Sequence, residues 1–455
     1  MPEAHRLHAS LGWPHLVALG VGAIVGTGIL TLIGVGAGKA GPGVMLSFAI
    51  AGAICACAAL AYAEVATMIP AAGSAYTYSY STFGELVAWV VGWSLILEYT
   101  LVVSAVAVGW SGYAAPLLHV PHALANGPHL GGIANLPAVA IIAIVAGALV
   151  YGTRESASVN AALVVVKLLA LAMFVALALS AFDGAHFQPL MPYGFARSGA
   201  AGHEVGVMAA AAIIFFAFYG FDAIATAAED AKNPARDLSI GIVGSMILCV
   251  IIYMAVAAAA IGARAPADFA ASPEPLALIL RDIGHPLAAR LLALSASIAL
   301  PTVILAFFFG QSRIFLAMAR DGLLPQRLAK VSRRGTPVAV TLFTAVVVAV
   351  IAAIFPLDEI AALANAGTLT AFIAVNAAML MLRRREPTRE RPYRAPAAPL
   401  VGTVGIAGCL YLLASLPEKT QLYFLGWNLV GLVVYALWGA PRAARARAAS
   451  AGVSA

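Results

Sequence analysis

An all-α, polytopic membrane fold of twelve transmembrane helices is what this sequence predicts, on three observations. Of its 455 residues, 62% are hydrophobic and only 10% are charged, whereas a soluble domain carries roughly 25% charged residues. Apolar stretches of the roughly 20 residues needed to cross a hydrocarbon core recur along the whole chain. Lysine and arginine divide unevenly between alternate connections, as they do where a membrane sets orientation.

In chain order the predicted spans are 13–37, 43–69, 84–116, 134–151, 158–181, 204–228, 238–262, 287–318, 337–355, 359–382, 399–416 and 422–440. Their unbroken apolar runs lack the period-two alternation of barrel strands, and a helix satisfies its own backbone in lipid. Turn and breaker signals fall between spans, at Pro70–Gly73, Gly127–Pro128, Asn233–Pro234 and Pro356. The outer segments 117–133 and 264–286 are the longest connections, and nothing between the spans has room for a large soluble domain. The first apolar run is too long, and followed by too many others, to read as a cleaved signal peptide. Residues 1–455 therefore form a single transmembrane domain: five spans in 13–181, five in 204–382, two in 399–440 and a tail at 441–455. Five is odd, so the second set enters the membrane inverted relative to the first.

Taking the N-terminus as cytoplasmic, nineteen of the 26 Lys and Arg fall on the inner side. Basic runs at Arg327–Arg334 and Arg383–Arg394 dominate that count. Six lie outside (Lys39, Arg197, Arg264, Arg281, Arg290 and Lys419), and Lys167 lies within a span. Both termini are thus expected in the cytoplasm. The net charge of +6 reflects this bias toward one membrane face, with no nucleic-acid partner implied. Cys55, Cys57, Cys249 and Cys409 all fall in apolar spans, and a C-x-C spacing is neither a redox nor a zinc motif. The nine histidines show no metal-ligand spacing. No Walker motif is present, so neither a metal, a cofactor nor ATP-driven pumping is expected.

Two spans are interrupted. Span one reads Gly20-Val-Gly-Ala-Ile-Val-Gly26-Thr27-Gly28-Ile29, and span six reads Phe215-Phe216-Ala217-Phe218-Tyr219-Gly220-Phe221-Asp222. Gly22 and Gly26 also have the G-x-x-x-G spacing of helix packing, but breaks at corresponding positions of two halves point to a transporter site. Unwinding in span one frees the N–H groups of Thr27, Gly28 and Ile29, which suit a carboxylate. Freed carbonyls near Ile24, Phe216 and Ala217 suit an ammonium group. Together they describe a receptor for the two charged ends of an α-amino acid, with Phe216 as a cap.

Ionisable groups inside spans are costly, by roughly 2.5–3.5 kcal/mol each on insertion scales. Lys167 lies mid-span, where burial disfavours the charged form of an amine. It reads as a proton carrier, as a fixed cation where another transporter binds a metal cation, or as a strut bonded to exposed carbonyls of span one. Glu98, mid-span three, either titrates or bonds structurally. Glu64 and Asp222 fall nearer the cytoplasmic ends of their spans and are expected to be helix-end gates or solvated residues.

Motifs run the length of the chain: Gly22–Ile29, Tyr62-Ala-Glu64 with Pro70, Gly73, Tyr76 and Tyr78, and Gly84-Glu-Leu with Gly92-Trp93. Leu97-Glu98-Tyr99, Phe215–Asp222, Glu229–Pro234 and Arg320–Pro325 follow. In these the chain resembles the amino acid–polyamine–organocation superfamily, most closely its cationic amino acid transporter branch and bacterial relatives. The resemblance implies a leucine-transporter-like fold of two inverted five-helix repeats plus two helices. It implies amino acid import across a bacterial inner membrane, commonly coupled to protons or exchange, and no obligatory protein partner is evident. It makes Ile24, Thr27, Gly28, Phe216, Ala217 and Tyr219 substrate contacts, Lys167 the stand-in for a sodium site and Glu98 a coupling acid. It also makes Ile304 the residue that limits room for the substrate side chain. Pro301 and Ser239 depart from the family pattern; Pro301 is expected to disturb the turn that carries Ile304. A bulky Ile304 favours small or medium neutral substrates. Exchange without net proton movement, and a nutrient sensor that moves nothing, are the alternatives.

Overall fold

The computed structural model describes residues 11–70, 73–151, 157–199, 204–226, 231–325 and 337–442. They form helices α1 (Trp13–Ile24), α2 (Thr27–Leu30), α3 (Leu32–Ala40), α4 (Val44–Met68), α5 (Ser74–Phe83), α6 (Glu85–Leu117), α7 (His122–Ala125), α8 (Leu136–Tyr151) and α9 (Ala157–Leu179). After these come α10 (Val207–Ile214), α11 (Asp222–Thr226), α12 (Pro234–Ala263), α13 (Pro266–Phe269), α14 (Pro275–Asp282) and α15 (Pro286–Arg320). The chain continues with α16 (Val338–Ile354), α17 (Leu357–Arg385), α18 (Ala398–Ser415) and α19 (Glu418–Val434). Among the described residues there is no strand, only two isolated bridges. Among the described residues, nine runs of helix are long and apolar enough to cross a membrane, and α1, α8 and α16 are shorter apolar helices. The expectations resting on Arg154, Arg327–Arg334, residues 229–230 and the tail beyond Arg442 lie outside the described residues.

Proline opens many of these helices, standing in the first turn of α1, α12, α13, α14, α15 and α18, where its missing N–H costs nothing. Gly84, at φ +88°, ends α5 and starts α6, a backbone that favours glycine. The helix containing Pro301 is a correction: α15 runs unbroken from Pro286 to Arg320. A lost backbone bond is tolerated in such a helix when its neighbours re-satisfy it, and the carbonyl that Pro301 leaves without a donor, Ser297 O, accepts from the indole of Trp110 on α6 at 2.8 Å.

The broken helix is the centre of the bundle. Within Val207–Ala225, 94% of the most apolar window is buried, against 11% for Glu418–Arg442. Helix α6 packs on α15, α17, α5, α16 and α8, while α4 packs on α12, α10, α18 and α17. At the periphery, α19 is tied to α6 by indoles: Trp89 donates to Gly431 O, and Trp93 and Trp427 each donate to the other's carbonyl.

Each end of the bundle is closed by a different device. At one end, α13 and the turn that leads to α14 lie over Gly34 of α3 and Gly112 of α6. A side chain at Gly34 would meet the Phe269 carbonyl at 3.0 Å, and one at Gly112 the Pro273 carbonyl at 2.7 Å. Arg281 pairs with Glu274 at 2.6 Å, and burial pushes that carboxyl above its usual range against the pull of the arginine. At the other end Glu64 is not solvated, one of the two alternatives its position left open, the other being a helix-end gate. It is 1% exposed, forms a two-pronged pair with Arg383 at 2.8 and 2.6 Å, and accepts from Ala395 N at 2.8 Å. Arg391 approaches it at 3.4 Å. Beside this pair, the rings of Tyr62, Tyr78, Phe221 and Phe372 meet edge-on or tilted at 5.2–6.1 Å.

Candidate functional site

Both interrupted spans stop where the glycines predicted it. Helix α1 ends at Ile24; Val25 is extended and Gly26 takes φ −146°, ψ −147° before the single turn α2 begins. Thr31 then kinks the chain into α3. Helix α10 ends at Ile214, Phe215–Ala217 form a 3-10 turn, and Gly220 at φ +123° leads into α11. A φ in that region is strained for any side chain but glycine.

The two breaks meet backbone to backbone. A Cβ on Gly28 would lie 2.6 Å from Ala217 Cβ and closer still to its Cα, and one on Gly220 would lie 2.9 Å from the Ala23 carbonyl carbon. The Thr27 side chain occupies the place where a Cβ on Gly109 of α6 would stand. Gly22 faces Asn160 and Val164 of α9, so it serves packing while the break follows it. The glycines therefore do more than admit a ligand: Gly28 is required first by the approach of Ala217.

A helix that stops leaves its last carbonyls unpaired, and here several are taken up by the scaffold. Lys167 donates to Gly22 O at 2.9 Å, Tyr253 of α12 to Ile24 O at 2.8 Å and Tyr113 of α6 to Leu30 O at 2.6 Å. Asn365 of α17 donates to Ala212 O and Ile213 O at 2.7 and 3.1 Å. The carbonyl of Ile24, expected to be free, is thus already engaged, with one lone pair left. Those of Phe216 and Ala217 accept no hydrogen bond among the described residues. The N–H groups of Thr27, Gly28 and Ile29 form the first turn of α2 and lack intrahelical partners by geometry. Because α2 is only four residues long, its dipole adds little to them.

The remaining predicted residues spread over the neighbouring helices. Thr27, Ile29 and Ile304 are fully buried, as are Phe216 and Tyr219 to within 5%. The Phe216 and Tyr219 rings meet edge-on at 5.0 Å; Tyr219 reaches Phe307 of α15 at 6.5 Å, and Phe307 reaches Tyr99 at 5.3 Å. Ile304 stands one position after Val303, which faces Gly26, and one turn before Phe307. Asp222 corrects the sequence reading. It is buried, accepts from Tyr99 OH at 3.0 Å and from Gly220 N at 3.1 Å, and so pins the second break to α6. Glu98 is buried with both carboxylate oxygens unpartnered among the described residues. Thr368 is beside it, but the Thr368 hydroxyl donates to Ala364 O at 3.3 Å. Thr27 Oγ1 and Tyr219 OH are likewise buried and unpartnered. Lys167 also borders a small cavity lined by Val25, Leu30, Leu171 and Leu300.

Sequence reasoning missed Asn365, Tyr253 and Tyr113. A buried asparagine amid an apolar span was the available signal, since amides at such depth bond across helices.

Two interrupted helices meeting at the centre of a bundle of apolar helices are the construction of a membrane transporter. Comparison with known proteins agrees. The amino acid permease family matches residues 11–438. A branched-chain amino acid permease of Bacillus subtilis is 42% identical over 444 residues, covering 95% of this chain and 93% of its own. A methylthioribose transporter of the same organism is 38% identical, covering 93% and 92%. The vacuolar cationic amino acid transporter 2 of Arabidopsis thaliana is 37% identical, covering 85% of this chain and 62% of its own. The chain belongs to the amino acid permease family, within the amino acid–polyamine–organocation superfamily. It is a multi-pass membrane protein, and its relatives are permeases and transporters rather than enzymes.

Proposed function

We propose that the protein imports small or medium neutral L-amino acids across a bacterial inner membrane, coupled to protons, by alternating access. In this reading twelve spans form a leucine-transporter-like fold of two inverted five-helix repeats plus two helices, with both termini in the cytoplasm. The observation that carries it is the contact of the two breaks at Gly28 and Ala217. It sets the N–H groups of Thr27, Gly28 and Ile29 near the unengaged carbonyls of Phe216 and Ala217, donors for a carboxylate beside acceptors for an ammonium. Phe216, Tyr219 and Ile304 would bound the side chain. The Asp222 carboxylate is committed to Tyr99 and Gly220, so it offers nothing to a distal cation. Lys167, on Gly22 O, and Glu98 are the groups proposed to couple the proton. Relatives from two bacteria named as branched-chain amino acid permeases support an apolar side chain.

One observation favours a second reading: the unpartnered Glu98 carboxylate would suit a cationic substrate, as the plant relatives' names state of them. Reconstituted vesicles decide. Labelled leucine, alanine, arginine and methylthioribose are offered with and without an imposed pH gradient. Gradient-driven leucine or alanine uptake is expected, with weak competition by arginine. Uptake only into preloaded vesicles would indicate exchange, and binding without uptake a sensor. Ile304→Ser should then admit longer or cationic side chains in a graded way, since such pocket changes are worth about 1–3 kcal/mol. An unchanged profile would remove Ile304 from the pocket.

A further inference from the structure

Helix α10 ends at Ile214 in the most buried of the candidate membrane spans among the described residues. The capping Phe215 N–H takes up Ala211 O and also approaches Ile213 O, while Ala212 O lacks a backbone partner at a depth where lipid supplies none. The amide nitrogen of Asn365, fully buried on α17, reaches Ala212 O at 2.7 Å and Ile213 O at 3.1 Å. Both contacts are acceptors, so the nitrogen must face them and the amide orientation is forced. The first break has the same arrangement. Lys167 of α9 donates to Gly22 O, two residues before the end of α1, as Ala212 lies two before the end of α10.

We propose that Asn365 is a positioning residue for the second break, the uncharged counterpart of Lys167 at the first. The counterpart relation rests on the inverted-repeat reading, which pairs spans one and five with spans six and ten; the two hydrogen bonds do not. Asn365 holds the end of α10, and through it the Phe215–Ala217 turn, at the height where Ala217 meets Gly28. An amide fits this task because it brings two donors and no charge to desolvate. Lysine at the other break brings a charge that can change.

The test uses the full chain in nanodiscs and reads leucine and alanine affinity from pH 5.5 to 8.5. Asn365→Leu keeps the volume and removes the donors, and is expected to weaken binding about tenfold. Asn365→Asp restores a donor only when its carboxyl is protonated. Its affinity should come within a few-fold of wild type at acid pH, one donor serving where two did, and fall about tenfold as the carboxyl ionises, a profile that loss of packing does not produce. Glu98 of α6, whose Cβ faces Gly367, and Tyr219 are the titratable groups near this face of α17. Both are unchanged in every variant, so the wild-type profile serves as reference. Wild-type affinity in Asn365→Leu would overturn the proposal. So would an Asn365→Asp profile parallel to wild type, or the absence of its binding at every pH. If Asn365→Leu does not fold, Asn365→Asp decides alone. Hydrogen exchange of residues 207–220 separates this from the function assigned above. Faster exchange there in Asn365→Leu supports the positioning role even if wild type binds neither amino acid; unchanged exchange counts against it.

Discussion

The two breaks meet one physical problem with different chemistry. At the first, the carbonyls left by α1 and α2 are taken by an ammonium and two phenols, Lys167, Tyr253 and Tyr113. At the second, two carbonyls of α10 are taken by an amide, and the Gly220 N–H ahead of α11 is taken by Asp222, held in turn by Tyr99. A buried unpaired carbonyl costs about 1–3 kcal/mol, so either solution stabilises a helix end at this depth. An amine is a titratable type of group and an amide is not, which is the contrast on which the proposed coupling through Lys167 rests. Response to the proton is therefore expected through the first break, while the second keeps its shape.

The largest effect should follow from forcing the breaks apart. Gly28→Val drives a side chain into the Ala217 backbone, and overpacking of about 1–3 kcal/mol translates into up to about hundredfold weaker binding. Substrate affinity of the inserted, monodisperse protein is the measurement; wild-type affinity would show that the contact does not build the site. Next comes the test of the asymmetry itself. Lys167→Met keeps the length of the side chain and removes its donors, so uptake driven by a pH gradient should be abolished while some binding or exchange survives. Full accumulation by this variant would falsify a coupling role. The smallest change is Tyr253→Phe, which removes one hydroxyl bond from Ile24 O. A few-fold loss of affinity is expected, with the pH dependence of uptake unchanged. A shifted pH profile instead would make Tyr253 part of the proton path and sharpen the contrast with Asn365.

Periodicity, or its absence, made the helical class legible, because lipid leaves long apolar segments little choice but to satisfy their own backbone. The breaks were legible for the same local reason: Gly26, Gly28 and Gly220 stand where no helix former would. Roles that depend on what another helix brings were not. Glu64 read as a helix-end gate or a solvated residue, and only Arg383, 319 positions away, rules out the second by burying it in an ion pair. Pro301 looked like a disturbance, yet α15 continues through it. Asn365 carried no local signal beyond its polarity, and its meaning came from α10 across the bundle. The sequence by itself determined the helical class and the two breaks at Gly26 and Gly220, since backbone satisfaction in lipid is settled within a few residues. Only the tertiary structure decided which donor meets each stopped helix, because those partners lie on segments far apart in the chain and are selected by packing.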